Sequence, residues 1–467
     1  RNDFLLKYQS KSLIVNKLIY RTSLKKLAGG SERSAVVKKN IFMSLLIKGI
    51  SILISLLLVP LTLGYVSVEI YGVWLTISSI LHWLTYMDVG FTLGLKNRLA
   101  EALAKENYEK GRSLVSTTYF IMIVIFVPLA ILLYFISPLV DWCAVLNVHQ
   151  SNQGVILKTI QVLFVFVSLQ MIVNVFVAVV AAHQKTALSS LFNVIGQFFS
   201  LVIIAGMTHL LEPSLYNLAF AYSMMPIVIV AISSVVYYRT SMRKIAPSVK
   251  AINLSYISDL WNLGVKFFII QIQQIVLYQA TNLLISHLDG PEAVTQYNIS
   301  YKLLNVVVMV YTIILTPLWP AYTDAYAKKD FMWMNSIYKK MKNIFLLLFA
   351  LIIVITLLSP LLYHVWVGDK VSIPLILTAS ISVYTLIHCW DSLQVMLING
   401  IGTVKLQSYV IFIGLILHIP LSLFLGQYIG LYGVIASMCI INLIYASFFT
   451  VQIKKLLSQT ATGIWSK

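Results

Sequence analysis

The sequence predicts an all-α transmembrane protein of about twelve helices, arranged as two six-helix lobes related by a parallel repeat. Three observations support this: an apolar composition, evenly spaced apolar runs and basic residues confined to alternate loops. Hydrophobic residues make up 59% of the 467 residues and charged residues only 11%. Soluble domains are about half apolar and a quarter charged. A chain this apolar needs the bilayer as its solvent, which excludes a soluble enzyme.

Each predicted span is an apolar run close to the length of about 20 residues that a helix needs to cross the hydrocarbon core. The connections between the runs are short. They leave no room for a separate catalytic domain, so we expect a protein that is not an enzyme. The predicted spans are residues 40–63, 71–95, 115–137, 156–182, 187–209, 216–238, 260–286, 297–321, 342–363, 372–398, 405–426 and 430–453.

Basic residues give the predicted orientation. The formal net charge is +18, and the excess lies in alternate loops, as the positive-inside rule requires of cytoplasmic segments. Charge placed in this way indicates orientation in a membrane and no binding of nucleic acid. Both termini are therefore predicted to be cytoplasmic, in a multi-pass membrane protein. The basic segments are residues 1–39, 96–112, 239–250 and 328–342, together with Lys185, Lys405 and the C-terminal tail.

The first 39 residues are too polar to span the bilayer. The stretch from Phe4 to Leu27 mixes Leu and Ile with Lys and Arg. Such a stretch can lie on the anionic inner leaflet as an amphipathic helix. We assign residues 1–39 no function.

A sequence repeat relates the two halves. Residues 101–107 read Glu-Ala-Leu-Ala-Lys-Glu-Asn, and residues 324–330 read Asp-Ala-Tyr-Ala-Lys-Lys-Asp. Each copy follows an even number of spans, so the halves have the same orientation and their symmetry axis runs along the membrane normal. The predicted units are an N-lobe at 40–238, a cytoplasmic linker at 239–258, a C-lobe at 259–457 and a tail at 458–467. Two such lobes can rock about a central cleft and give alternating access.

Three lysines interrupt the apolar spans: Lys48, Lys266 and Lys302. Charges inside a membrane face a cavity or a partner, because lipid cannot solvate them. Lys48 and Lys266 occupy equivalent spans of the repeat, about 12 Å from the cytoplasmic helix ends. Three cations in one cleft favour an anionic substrate, and phosphate is the expected anion. The alternative is that each lysine extends its ammonium group to the membrane surface.

Polar stripes on the same spans predict a hydrated cavity. Residues spaced by three, four or seven share a helix face, and polar faces cannot point at lipid. The predicted lining residues are Ser51, Ser55, Gln271, Gln274, Tyr278, Asn282, Asn298 and Asn305.

Two acidic residues, Asp88 and Asp391, also lie in or near spans. They are candidates for coupling to a proton or sodium gradient, or for balancing a lysine. The cysteines and histidines have no metal-ligand spacing, and the sequence lacks a phosphate-binding glycine loop. We therefore expect no bound metal, no cofactor and no catalytic residue.

Two motifs resemble the polysaccharide transporters of the multidrug/oligosaccharidyl-lipid/polysaccharide (MOP) exporter superfamily. One is Tyr71-Gly72-Val73-Trp74, followed by Asp88-Val89-Gly90 and the basic Lys96-Asn97-Arg98. The other is residues 317–326, Pro-Leu-Trp-Pro-Ala-Tyr-Thr-Asp-Ala-Tyr. The resemblance covers roughly residues 40–455 and is carried by these motifs together with the six-plus-six repeat.

The resemblance implies a MATE-like fold and a Wzx-type flippase for O-antigen or capsule repeat units. Such a protein would move oligosaccharide linked to undecaprenyl diphosphate from the cytoplasmic to the periplasmic leaflet of the bilayer. Lys48, Lys266 and Lys302 would then bind the diphosphate. A glycan polymerase and other assembly proteins would be its partners.

Two alternatives stay open. The first is a multidrug or cation antiporter of the same superfamily, for which a pocket rich in acidic and aromatic residues is expected. The second is a membrane-embedded glycan polymerase or ligase, which needs a large outer loop that this sequence lacks.

Overall fold

A computed structural model gives the structure of residues 43, 45–85, 90–183, 185–261, 280–316 and 318–466. These residues form α-helices joined by short turns and 3-10 turns. The apolar runs form helices because lipid offers no hydrogen-bond partners, so each segment must satisfy its own backbone amides. The helices are α1 Leu45–Tyr65, α2 Val68–Thr85, α3 Phe91–Ala104, α4 Tyr108–Ile136, α5 Trp142–Leu146, α6 Gln153–Ala182, α7 Thr186–Leu210, α8 Leu215–Arg239, α9 at 256–261, α10 Ala280–Leu315, α11 Leu318–Ala327, α12 Phe331–Val367, α13 Leu375–Ile401, α14 Lys405–Ile429 and α15 Leu431–Leu457.

Ten helices among the described residues are long and apolar enough to cross a membrane. They correspond to every predicted span except the second and the seventh. The second predicted span is divided between α2 and α3, and residues 86–89 between them lie outside the described residues. The seventh is described only at its two ends. The predicted all-α membrane fold is confirmed, and the count of twelve stays a prediction.

Several helices extend beyond the apolar runs on the side of the basic loops, which we call the inner side. Helix α4 begins at Tyr108 and α12 begins at Phe331, several residues before the predicted span starts at 115 and 342. Each helix begins where a side chain caps it: Asn107 accepts a hydrogen bond from the Lys110 amide, and Asp330 caps α12 in the same way. Hydropathy marks only the part of a helix inside the hydrocarbon, whereas capping fixes where the helix starts.

The repeated heptapeptide folds identically in the two halves. Helices α3 and α11 both end at its second Ala, and the next-to-last residue of each copy is left-handed, with φ of 55° at Glu106 and 57° at Lys329. The last residue of each copy then donates its amide to a carbonyl five residues back, at 2.9 Å in both. The repeat predicted from sequence is therefore also a repeat of backbone geometry.

The buried apolar residues divide between the same two halves. One core consists of residues between 280 and 457, and two further cores are built mainly from residues between 47 and 260. The halves meet where α2 packs along α10. Helix α10 is broken at Gly290, whose φ of 83° and ψ of 176° favour glycine. At this break the chain reverses direction on the outer side, opposite the basic loops, between the end of the seventh predicted span and the start of the eighth.

Candidate functional site

A cavity of about 700 Å³ lies between the two halves. Its walls come from α1, α2, α6, α7 and α8 of the N-terminal half and from the inner part of α10. The polar and aromatic lining residues are Lys48, Ser51, Ser55, Trp74, Ser78, Gln170, Gln197, Tyr222, Ser223, Lys302, Asn305 and Thr312. Five of the residues proposed from the sequence, Lys48, Ser51, Ser55, Lys302 and Asn305, are thus brought together in one cavity.

Two cations face this space from different helices. Lys48 on α1 is exposed, whereas Lys302 on α10 is partly buried. The Lys302 ammonium group donates a hydrogen bond to the Tyr71 hydroxyl at 3.2 Å. The ion pairs found among the described residues involve neither lysine. An ammonium group at this depth without a carboxylate partner attracts anions, because little water is present to screen it.

The remaining wall is neutral and rich in hydroxyl, amide and aromatic groups. Ser51 donates to the side-chain carbonyl of Gln197 at 3.2 Å, which joins α1 to α7. The rings of Trp74 and Tyr222 lie 5.0 Å apart, and the Tyr222 hydroxyl is 3.0 Å from that of Thr62. Such a surface suits a polyhydroxylated ligand, since amides and hydroxyls both donate and accept hydrogen bonds.

Sequence reasoning missed the contributions of Trp74, Gln170, Gln197 and Tyr222. The two glutamines carried a signal, because an amide inside an apolar span needs a polar partner or water. Each also has a second amide four residues away on the same helix face, Asn174 for Gln170 and Asn193 for Gln197, so the spacing of polar residues along these spans could have identified them. Trp74 belongs to the Tyr71-Gly72-Val73-Trp74 motif, but that motif does not by itself indicate a cavity wall. Tyr222 carried no signal, because aromatic side chains in a membrane span mostly pack in apolar surroundings.

Asn282 and Asn298 were predicted to line the cavity, and the structure corrects this. Neither belongs to the cavity wall. The Asn282 side-chain amide donates to the Ser79 hydroxyl at 2.7 Å, and the Asn298 side-chain amide donates to the side-chain carbonyl of Asn282 at 2.8 Å. This chain of hydrogen bonds joins α10 to α2, so the polar groups satisfy each other across the junction of the two halves.

Other proposed site residues lie elsewhere. Lys266, Gln271, Gln274, Tyr278 and Asp88 fall outside the described residues. Asp391 is buried in α13, away from the cavity wall, with 8% of its surface exposed. One of its carboxylate oxygens, Oδ1, has no hydrogen-bond partner among the residues that the structure describes.

Comparisons with known proteins agree over most of the chain. Residues 37–326 match the family described as polysaccharide biosynthesis protein, and residues 267–424 match the MatE family. An O-antigen export protein of Yersinia pseudotuberculosis is 23% identical over 406 residues, which cover 84% of this chain and 88% of that protein. An O-antigen transporter of Salmonella typhimurium is 23% identical over 391 residues, covering 80% of this chain and 85% of that protein.

Solved structures share the fold at low sequence identity. An inward-facing multidrug resistance transporter of the MATE family, in the MOP superfamily, superposes with a TM-score of 0.73 at 12% identity. That superposition covers 90% of this chain and all of the transporter. The lipid II flippase MurJ, in an inward closed conformation, gives 0.69 at 13% identity, covering 88% of this chain and 87% of MurJ.

Proposed function

Because the chain belongs to the polysaccharide biosynthesis protein family, within the MOP exporter superfamily, we propose that it is a flippase for a lipid-linked oligosaccharide. The substrate would be an O-antigen or capsule repeat unit on undecaprenyl diphosphate. The protein would move it from the cytoplasmic to the periplasmic leaflet of a bacterial inner membrane by alternating access. A glycan polymerase and other assembly proteins would act on the product.

The pair of cations in one interlobe cavity carries this proposal. Lys48 and Lys302 line the same space and lack carboxylate partners among the described residues. A diphosphate group supplies the negative charge that such a site attracts, and lysine binds phosphate as a point charge. Lys266 would be a third cation for the same group.

The helices that carry the cations also suit the lipid tail. The lipid-facing surfaces of α1 and α10 are apolar, with Leu53 and Val310 both more than half exposed. A substrate whose diphosphate sits between these helices would keep its prenyl tail in lipid and place its sugars in the cavity. Burying the prenyl chain in protein is unnecessary, because the bilayer is already an apolar solvent for it.

Energy from a proton or sodium gradient is a further part of the proposal, with Asp391 and Asp88 as candidate coupling residues. The burial of Asp391 and its unpartnered oxygen support a role in binding a proton or a cation. In the Asp391→Asn variant, transport should no longer depend on either gradient. If collapse of both gradients slows this variant as much as the wild-type protein, Asp391 does not couple transport to an ion.

Complementation of a strain that lacks its own flippase tests the proposal, with surface glycan as the readout. We expect the wild-type chain to restore export and the Lys48→Ala/Lys302→Ala variant to lose it by about a hundredfold or more, because a hydrogen bond to a charged group contributes about 1.5–3 kcal/mol. Lys158→Ala is the matched control, since Lys158 is an exposed lysine of α6 outside the cavity. Full export by the double variant, at equal amounts in the membrane, rules out the cation site.

Drug or cation export is the second candidate, favoured by the MatE match over residues 267–424. A pocket for cationic drugs needs acidic groups, whereas this cavity presents two lysines among its described residues. The same strain separates the candidates: a drug exporter would raise resistance to cationic dyes and leave glycan export absent.

A further inference from the structure

A second cavity, of about 290 Å³, lies within the N-terminal half, between α3, α6 and α7. Its volume is near the lower end of the range of about 300–1,000 Å³ typical of small-molecule sites. Four polar residues contribute to its lining: Thr92 and Lys96 from α3, Asn174 from α6 and Asn193 from α7. The cavity lies on the inner side of the central one, close to the basic loops.

The two cavities share helix faces. On α6, Gln170 lines the central cavity and Asn174 the second one; on α7, Gln197 lines the central cavity and Asn193 the second. Residues four apart lie on one face of a helix, about 6 Å apart along its axis. The four amides therefore form two successive pairs, which we call the amide track, and the track leads from the central cavity to Lys96.

Most of this track has no hydrogen-bond partner among the residues that the structure describes. Gln170, Asn174, Asn193 and Lys96 make no hydrogen bond or ion pair within the described part of the chain, and all four are half-buried. Amides at membrane depth must be satisfied by protein, water or a ligand. Packing within the N-terminal half therefore does not explain why these residues are polar.

We propose that the second cavity is a subsite for the distal sugars of the lipid-linked oligosaccharide, which extend along the amide track from the diphosphate. This rests on the proposed flippase function and deepens it. The cations on α1 and α10 hold the diphosphate, while the amides on α6 and α7 hold sugars.

The chemistry of the track selects this ligand class. Each amide offers a donor and an acceptor in one plane, which matches the neighbouring hydroxyls of a sugar. A second phosphate would require more than the single cation at Lys96, and a cationic drug would require an acid. Lys96 stands where the track ends and can donate to a hydroxyl or to an acidic substituent of the last sugar.

Transport measured with glycans of two lengths tests the subsite. The purified full chain is placed in liposomes of phosphatidylethanolamine and phosphatidylglycerol. One probe is undecaprenyl diphosphate carrying a single N-acetylglucosamine, and the other carries the complete repeat unit, extracted from a strain that lacks this gene. The rate is read as the appearance of glycan accessible to an impermeant oxidant on the far side of the bilayer.

We expect the Asn174→Leu/Asn193→Leu variant to slow transport of the complete unit by about tenfold, because two amide hydrogen bonds are lost. Transport of the single-sugar probe should change by less than about twofold on the same reasoning.

Ala178→Leu, which fills the second cavity without removing an amide, should give the same pattern. Gln161→Leu is the control: this α6 amide lies outside both cavities, 3.3 Å from the Tyr134 carbonyl, and its loss should affect neither probe.

The outcomes are distinct. Equal slowing of both probes, or of neither, overturns the subsite while the flippase function stands. A wild-type chain that moves neither probe contradicts the flippase function, and the subsite falls with it.

Discussion

The outer and inner parts of the junction between the two halves are built differently. On the outer side, short hydrogen bonds cross it: Thr295 donates to the Val68 carbonyl at 2.8 Å, Ser286 to the Leu146 carbonyl at 2.8 Å and the Trp366 indole to the Leu56 carbonyl at 2.9 Å. The Asn282–Ser79 hydrogen bond lies beside them. Each of these donors is satisfied by a backbone carbonyl or a hydroxyl, and no ion pair among the described residues crosses the outer junction.

On the inner side the same helices separate around the cavity. They meet again where α9 packs on α3, with Gly94 close to the backbone of Leu260 and with the rings of Phe91 and Trp261 5.3 Å apart. An ion pair between Arg98 and Asp259 completes this contact, and about a third of each side chain is exposed. Among the described residues, the inner junction is therefore smaller than the outer one and partly open to water.

The closed outer junction and the partly hydrated inner junction together indicate an inward-facing arrangement. Alternating access requires the outer contacts to break as a group, because hydrogen bonds that lose their partners in a membrane leave unsatisfied polar groups. Breaking the partly hydrated inner contact leaves groups that water can satisfy. The outer junction should therefore determine how often the protein opens outward, and the inner contact should matter less.

Covalent linkage across the outer junction should have the largest effect. In a chain whose Cys143, Cys389 and Cys439 are replaced by alanine, Ser79→Cys and Asn282→Cys place thiols on the two sides of a hydrogen bond of 2.7 Å. A short bifunctional thiol reagent should abolish transport, because α2 and α10 can no longer part. Glycan export before and after reduction of a cleavable reagent is the measurement.

A monofunctional reagent of the same size is the control for that experiment. If the linked protein transports at the unlinked rate, the outer junction does not open during the cycle, and the comparison between the two sides is wrong.

Gly72 gives the next largest effect. A Cβ added there would overlap the backbone of Pro291, next to the break in α10. Gly72→Ala should therefore force the outer junction apart, at about 1–3 kcal/mol for an overpacked contact, which corresponds to about 5- to 150-fold in the outward-open population. The measurement is the rate at which an impermeant maleimide labels Thr76→Cys, a buried position of α2, from outside.

The matched control is Gly49→Ala, because nothing lies within 4 Å of a Cβ added at Gly49 of α1. Equal labelling rates in the two variants would mean that the approach of Gly72 to Pro291 does not hold the junction closed.

One of the two motifs that carried the family resemblance, Tyr71-Gly72-Val73-Trp74, lies at this junction. Tyr71 accepts the hydrogen bond of Lys302, Gly72 touches Pro291, and Trp74 lines the cavity. The family prediction is confirmed over residues 37–326. Three of the four residues of Tyr71-Gly72-Val73-Trp74 therefore meet a separate steric or polar requirement of the junction.

The turn after α3 and α11 was also predictable, because capping and left-handed geometry depend on neighbours within a few residues. The hydrogen-bond partners of Asn282 and Asn298 could not be predicted from the sequence. Both have the polarity and spacing of a cavity wall, yet Ser79, 203 residues away from Asn282 in sequence, satisfies them. Polarity at a helix face shows that a partner exists, whereas only the packing of distant helices decides whether that partner is water or protein.

The smallest effect is expected at the inner contact. Arg98→Gln removes the ion pair with Asp259, whose hydrogen bond raises the pKa of the Arg98 guanidinium group. The contact joins the halves on the side that closes when the protein opens outward, and exposed ion pairs contribute about 0.2–1 kcal/mol. Labelling of Thr76→Cys from outside should therefore fall by no more than about fivefold. The charge-swapped variant Arg98→Asp/Asp259→Arg should return the rate to the wild-type value, and high salt should reduce the difference, because ions screen exposed charges. A change in labelling as large as that of Gly72→Ala would mean that the inner contact affects the conformational equilibrium as strongly as the outer junction does.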